Sequence, residues 1–84
     1  MGRSLPQGRA VVNSAIVHYN RALSLERSGR YEEAVAAYRE SIRLDPTDID
    51  AHVNLGFVLR ELGRDAEANA AFQAALALRT AGVR

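Results

Sequence analysis

The sequence predicts an all-α domain built from two stacked antiparallel helix–turn–helix hairpins, and three observations carry that reading. The chain echoes itself at a spacing of 34 residues: His18 returns as His52, Asn20 as Asn54, Leu25 as Leu59, Gly29-Arg30 as Gly63-Arg64, Glu33-Ala34 as Glu67-Ala68, Ala36-Ala37 as Ala70-Ala71 and Leu44 as Leu78. A fixed period of that length belongs to helical supersecondary units that stack on one another. Within each period the apolar residues recur at helical spacing, and Gly29, Pro46 and Gly63 fall where successive helices must stop.

Residues 1–14 match neither repeat and form a lead-in, either irregular or the start of the first helix. Met1-Gly2-Arg3-Ser4 is native or a cloning remnant, and Pro6 and Gly8 argue against regular structure before residue 9. The first helix then starts near Arg9, or after Asn13 or Ser14 acting as its N-cap. Its periodic part runs over about residues 15–28, with apolar stripes at Ile16, Tyr19 and Leu23 and at Ala15, Ala22 and Leu25. Gly29 ends it, because glycine takes the left-handed conformation past a helix without steric cost. A second helix is expected over 31–44, burying Ala34, Val35, Tyr38, Ser41 and Ile42 and leaving Glu32, Glu33, Arg39, Glu40 and Arg43 in water. Glu32 and Glu33 suit the positive end of the helix dipole, and Glu40 and Arg43 stand one turn apart as an ion pair.

Asp45-Pro46-Thr47-Asp48 breaks the chain, since proline cannot continue a helix and excludes helical geometry at the residue before it. Asp48 is then the N-cap of a third helix over 49–62, which Gly63 ends as Gly29 ended the first. The fourth helix spans 65 to 78 or 79, with Gly82 as its end signal. The two repeats therefore occupy about 15–48 and 49–82 within one domain, 15–84.

Composition narrows the function. An 84-residue chain makes at most one domain, and one of this size buries only about 60% of its unfolded surface. With no cysteine, disulfides, zinc-thiolate sites and a thiol nucleophile are all excluded. The net charge is +1, and the eleven basic residues, all arginine, alternate with acids without forming a stripe, so nucleic-acid binding is not expected. No apolar run approaches the ~20 residues of a membrane span and no signal-peptide core opens the chain, which reads as cytoplasmic with no membrane partner. A glycine-rich phosphate loop and a nucleophile elbow are both missing. His18 and His52 are one repeat apart, too far for a shared metal ion, with no acid completing a ligand set. They read as packing histidines with one nitrogen hydrogen-bonded. Neither catalysis, nor a cofactor, nor a metal is expected.

Residue by residue, the pattern resembles the tetratricopeptide repeat. The first unit matches at Ala22, Gly29, Tyr31, Ala34, Tyr38, Ser41 and Pro46, and the second at Leu55-Gly56, Gly63, Ala68, Phe72 and Ala75. The departures are His18 and His52, where the family has a large apolar residue, Asp65 for Tyr31, and Thr80 for Pro46. They make the second unit look like the last of its array. The small residues Ala22, Ala34, Ser41, Gly56, Ala68 and Ala75 let helices approach closely, and Tyr38 and Phe72 fill the wider gaps.

The resemblance implies a protein–protein interaction module, because in this family the first helix of each unit lines a concave groove that binds a peptide or helix of a partner. Carried over by position, the lining is Ile16, Tyr19, Leu23, Glu26 and Arg27, then Asp50, Val53, Phe57, Arg60 and Glu61. Tyr19, Leu23, Val53 and Phe57 make an apolar floor inside a charged rim, which suits an amphipathic helix or an extended peptide with an apolar anchor. The chaperone-tail clamp of some family members is not expected: Asn20 and Asn54 stand at a recurring asparagine position, but Tyr19, Leu23 and Asp50 replace the cations it needs. Both asparagines are expected to hydrogen-bond between helices. The last helix is apolar almost all round, which favours a second buried face. The alternatives to a partner-binding adaptor are a self-associating scaffold that meets a second copy of itself, or a targeting fragment of a larger protein.

Overall fold

In the computed structural model, which describes residues 7–82 and side chains from Asn13 to Gly82, four helices follow one another: α1 Gln7–Arg27, α2 Tyr31–Leu44, α3 Ile49–Glu61 and α4 Asp65–Gly82. Expectations for residues 1–6 lie outside the described part. No strand occurs among the described residues. The helix start at Asn13 or Ser14 is corrected, because both residues lie inside α1 and Gly8 sits in its first turn. Glycine costs a helix only about 1 kcal/mol relative to alanine, so one glycine does not stop a helix that continues for 21 residues. α4 also runs past Arg79 to Gly82, since Thr80 and Ala81 offer nothing that breaks it.

Both hairpins turn in the same way. Gly29 and Gly63 have φ of 77° and 76°. In each case the next residue donates its N–H back across the helix end: Arg30 to Leu25 O and Arg64 to Leu59 O, both at 2.9 Å. The glycine N–H bonds the carbonyl three residues back, Glu26 or Arg60. This pair of bonds satisfies helix-end carbonyls and demands a left-handed residue, which is why glycine repeats there. Between the hairpins, Asp45 Oδ1 accepts from the backbone N–H and hydroxyl of Thr47 at 3.2 and 2.8 Å. Asp48 caps α3 by accepting from Ala51 N–H, and His52 Nε2 lies 3.0 Å from Pro46 O, pinning the turn to α3.

The core is continuous through α1, α2, α3 and α4. Ala22, Ala34 and Tyr38 have no exposed surface, and Val35, Ala37, Leu55, Val58, Leu59, Ala68 and Ala71 join them. Ser41 is also fully buried, and its hydroxyl donates to Ala15 O on α1 at 2.8 Å. At the other crossing Gly56 is buried, and a Cβ placed on it would stand 2.6 Å from Cε1 of Phe72.

Outside the core, charge ties one repeat to the next. Arg30 forks onto Glu33 and its repeat-mate Arg64 forks onto Glu67. In the second repeat two cross-repeat bonds join this pair: Arg64 Nη1 to Glu32 at 3.1 Å and Arg39 Nη2 to Glu67 at 2.9 Å. Hydrogen bonds from Arg64 first, then from Arg39, hold the Glu67 carboxyl down at about 2, against an ordinary 4.5.

Two outcomes follow from these contacts. Gly56→Val should overpack the α3–α4 crossing by roughly 2 kcal/mol, lowering the melting temperature by roughly 10 °C on the scale for domains of this size. Gly56→Ala should fall less, because alanine returns about 1 kcal/mol of helix preference; calorimetry of both variants checks the order. The second concerns acid. A carboxyl whose folded value is depressed contributes stability above its unfolded value and loses it as pH falls toward the folded one. Wild-type stability should therefore fall between pH 4.5 and about 2 more steeply than that of Glu67→Gln, as measured by denaturant melts along the pH series.

Candidate functional site

α1 and α3 are joined by the Asn54–Tyr19 hydrogen bond and carry the residues of one candidate face. Two aromatic contacts build it, one in each hairpin. Tyr19 on α1 meets Tyr38 on α2 edge-on, with centroids 5.8 Å apart and rings at 66°. Phe57 on α3 meets Phe72 on α4 in the same manner, at 5.3 Å and 69°. Tyr38 and Phe72 are repeat-mates, but their partners are not. Tyr19 corresponds to Val53, and Phe57 corresponds to Leu23. The bulky residue has thus moved one helical turn along the face between the first repeat and the second.

The face is polar at its first layer. Asn54 Nδ2 on α3 donates to the Tyr19 hydroxyl at 2.8 Å and ties the two helices directly. The Tyr38 hydroxyl donates to Glu26 at 2.7 Å. Burial, then the hydrogen bond to the Glu26 carboxylate, pushes the Tyr38 hydroxyl far up. The Tyr19 hydroxyl is raised as well, first by burial and then by the charge of Asp50 and Asp48, against a lowering by Asn54. Both phenols therefore stay protonated at neutral pH and act as fixed donors or acceptors within the wall.

At the second layer the Arg60 guanidinium carbon stands 5.2 Å from the Phe57 centroid and 5.8 Å from that of Phe72. Phe57 is 44% exposed in spite of its two aromatic and cationic neighbours.

The sequence-derived lining separates into groups. Tyr19, Leu23, Val53 and Glu26 are half-buried, with Glu26 accepting from the Tyr38 hydroxyl. Asp50 reaches the Tyr19 hydroxyl electrostatically, and Phe57 and Arg60 are in contact. Ile16 is 51% exposed, and Arg27 and Glu61 are exposed with no ion pair to a described residue. The expectation of matching roles for Asn20 and Asn54 is corrected. Asn54 spans α1 and α3, whereas Asn20 is exposed and makes no side-chain hydrogen bond to a described residue, since its helix has no earlier one beside it among the described residues. His52 holds its hydrogen bond to Pro46, and His18 instead lines a shallow open depression of about 260 Å3 with Arg21, Glu33, Ala36, Ala37 and Glu40. A second depression, about 290 Å3, lies at the α1–α2 turn beside Leu62. Neither is lined by residues of the α1/α3 face. The residue that sequence reasoning assigned only to interhelical filling is Phe72, which also carries Arg60; two aromatics on facing helices with an arginine one turn on were the signal. Among the described residues no three His, Asp or Glu side chains are grouped to hold a metal ion, and no helix is long and apolar enough to cross a membrane.

Comparison with known proteins gives two family matches. A family described as "TPR repeat" matches residues 27–63, and one described as "Tetratricopeptide repeat" matches residues 49–80. The second match covers α3 and α4, in phase with the hairpins, while the first covers α2 and α3, which also pack together in a repeating array. The chain is similar to Protein O-mannosyl-transferase Tmtc3 of Drosophila melanogaster, 37% identical over 65 residues, which is 77% of this chain and 7% of that protein. It is likewise similar to Protein O-mannosyl-transferase TMTC3 of Mus musculus, 32% identical over 66 residues, 79% of this chain and 7% of the relative. The chain thus spans about 7% of the length of these curated relatives.

Proposed function

The chain belongs to the tetratricopeptide repeat family, and on that premise we propose that it binds a peptide or helix of another protein on the α1/α3 face, without chemistry of its own. Repeats of this family typically mediate protein–protein interaction. The observation that carries the reading is Phe57. It is a large apolar side chain, 44% exposed, on a floor of half-buried Tyr19, Leu23 and Val53. Isolated exposed apolar residues are ordinary, but an aromatic held at fixed geometry against Phe72 with the Arg60 cation beside it has the make-up of an interface centre. The wall behind it is held by two hydrogen bonds, Asn54 to Tyr19 and Tyr38 to Glu26, joined by the edge-on Tyr19–Tyr38 contact, so little is spent on ordering side chains when a ligand docks. The O-mannosyl-transferase activity in the names of the two relatives belongs to proteins of which this chain matches a small part, and a targeting or docking role within a longer protein is compatible with the face.

A second reading rests on α4. Leu76 is 52% exposed and lies one turn past Phe72, flanked by exposed Gln73 and Ala77. An apolar strip of this kind also suits weak pairing with a second copy of the chain.

Phe57→Ala should weaken capture of a partner by roughly 2 kcal/mol or more, the scale of an interface hot spot, while leaving the circular dichroism of the domain unchanged. Proteins retained by wild-type domain and lost by the variant identify the ligand; retention by both moves the site off this face. For the second reading, sedimentation equilibrium over a range of concentrations should show a dimer that Leu76→Glu abolishes. A strict monomer at every concentration leaves the α1/α3 face as the site.

A further inference from the structure

We infer that Arg60, held beside the Phe57–Phe72 pair, is a carboxylate-reading subsite, and that it selects and orients a helical ligand whose first turn carries an acidic residue beside a bulky apolar one. The inference rests on the reading of the α1/α3 face as a binding surface. Four of the arginines in the described part, Arg30, Arg39, Arg43 and Arg64, are already engaged with glutamates. Arg60 has no ion pair to a described residue, and its guanidinium lies within 6 Å of two ring centroids instead. Glu61, the next residue, leaves the helix about 100° away around its axis and so does not face the rings with Arg60. Arg21, Arg27 and Arg79 are also without a bridge, but none of them has a ring beneath it.

The position over the rings fixes what such a cation can recognise. The rings offer the guanidinium no hydrogen-bond acceptor, and none of its N–H groups is taken by a side chain of the described residues, so they remain for a carboxylate, which a guanidinium binds by two parallel hydrogen bonds. Phe57 remains 44% exposed beside it, so an apolar side chain can seat on the ring while a neighbouring carboxylate reaches Arg60.

Spacing and polarity then specify the ligand. Val53, Phe57 and Arg60 succeed one another at helical turns along α3, and Tyr19 and Leu23 keep the same step on α1. A ligand helix offering anchors one turn apart matches that ladder. Its acid lies at the Arg60 end of α3, while Asp50 lies at the opposite end. An acidic residue is best carried in a helix's first turn and a basic one in its last. The ligand helix therefore runs antiparallel to α3, with its N-terminal turn at Arg60 and its C-terminal turn at Asp50.

The test is a display selection of randomised amphipathic helices on the intact chain, using wild type, Arg60→Glu and Phe57→Ala as baits, with circular dichroism confirming that each bait is folded. Wild type should enrich Asp or Glu one turn from a bulky apolar residue, and Arg60→Glu should enrich Lys or Arg at the same place. A selected peptide should lose roughly tenfold in affinity toward Arg60→Gln, and most of the loss should remain with Arg60→Lys, which keeps charge but not the fork. A nitroxide on the peptide N-terminus should broaden the amide signals of Arg60 and Leu62 more than those of Asp50 and Ala51. Binders that need Phe57 but show no acidic preference, or that lie parallel to α3, overturn the inference and leave the binding face standing. Binders indifferent to Phe57→Ala, or no binders at all, overturn both.

Discussion

The whole arrangement depends on how closely the helices can approach. α1 and α2 close on each other where Ala22 and Ala34 have no exposed surface, and α3 closes on α4 where Gly56 leaves room for the Phe72 ring and nothing else. Interhelical distance is set by the side chains at the contact, so a single extra carbon at Gly56 would force the ring out of its place. Everything on the α1/α3 face inherits its position from these crossings. Tyr38 reaches Tyr19 and Glu26, and Phe72 reaches Phe57 and Arg60, only because α2 and α4 lie against their partners at alanine and glycine distances. The crossings also explain why so small a chain relies on few large core residues. Its fully buried side chains of any size are Tyr38, Leu59, Val58 and Ser41, and the rest of the interior is mostly alanine.

The order of the helices was readable because each boundary is forced by local chemistry. Gly29 and Gly63 are needed at positive φ, Asp48 supplies a cap, and Pro46 excludes a continuous helix. The outer ends were less readable for the same reason. Neither Gly8 nor Thr80 forbids a helix, so α1 and α4 extend beyond the periodic core. In the candidate site the residue types were legible and their partnerships were not. Periodicity places Tyr19 and Asn54 at neighbouring positions on the first helices of the two repeats, but it is silent on whether two groups 35 positions apart hydrogen-bond. The same limit hid Arg60 over the rings. A cation–π contact to a residue on the next helix depends on rotamers and interaxial distance, and a 34-residue echo records neither.

Failures of the echo say more about the two outer faces than its successes. α3 packs against α2, and Ala51, Leu55 and Val58 on it are buried. One repeat earlier the matching positions on α1 are Val17, Arg21 and Ser24, all exposed. Arginine and serine there make a poor seat for another apolar helix. On the opposite side, α2 offers Glu32 and Arg39 to bind Arg64 and Glu67 across the repeat junction. The matching positions on α4 are Ala66 and Gln73. A further unit of the same kind would find no charged tie on α4, although Phe72 and Leu76 keep some apolar surface there. Among the described residues, the junction between α2 and α3 is therefore where the apolar and the ionic halves of repeat packing meet.

That asymmetry bears on why the binding face varies independently of the frame. The residues that fix the crossings, Ala22, Ala34, Gly56 and Ala68, point into the bundle and tolerate almost no change in volume. Those on the α1/α3 face answer to a ligand instead. The shift of bulk from Tyr19 in the first repeat to Phe57 in the second, with Val53 and Leu23 as the complementary smaller residues, alters the outline of the face without touching a crossing. The polar groups differ in step: the first layer is closed by the Asn54–Tyr19 and Tyr38–Glu26 hydrogen bonds, and the second is left with a cation near two rings and with no ion pair to a described residue. A closed layer contributes rigidity and little selectivity. An open one leaves a charge whose best partner has yet to arrive, and selectivity on this face follows from that difference.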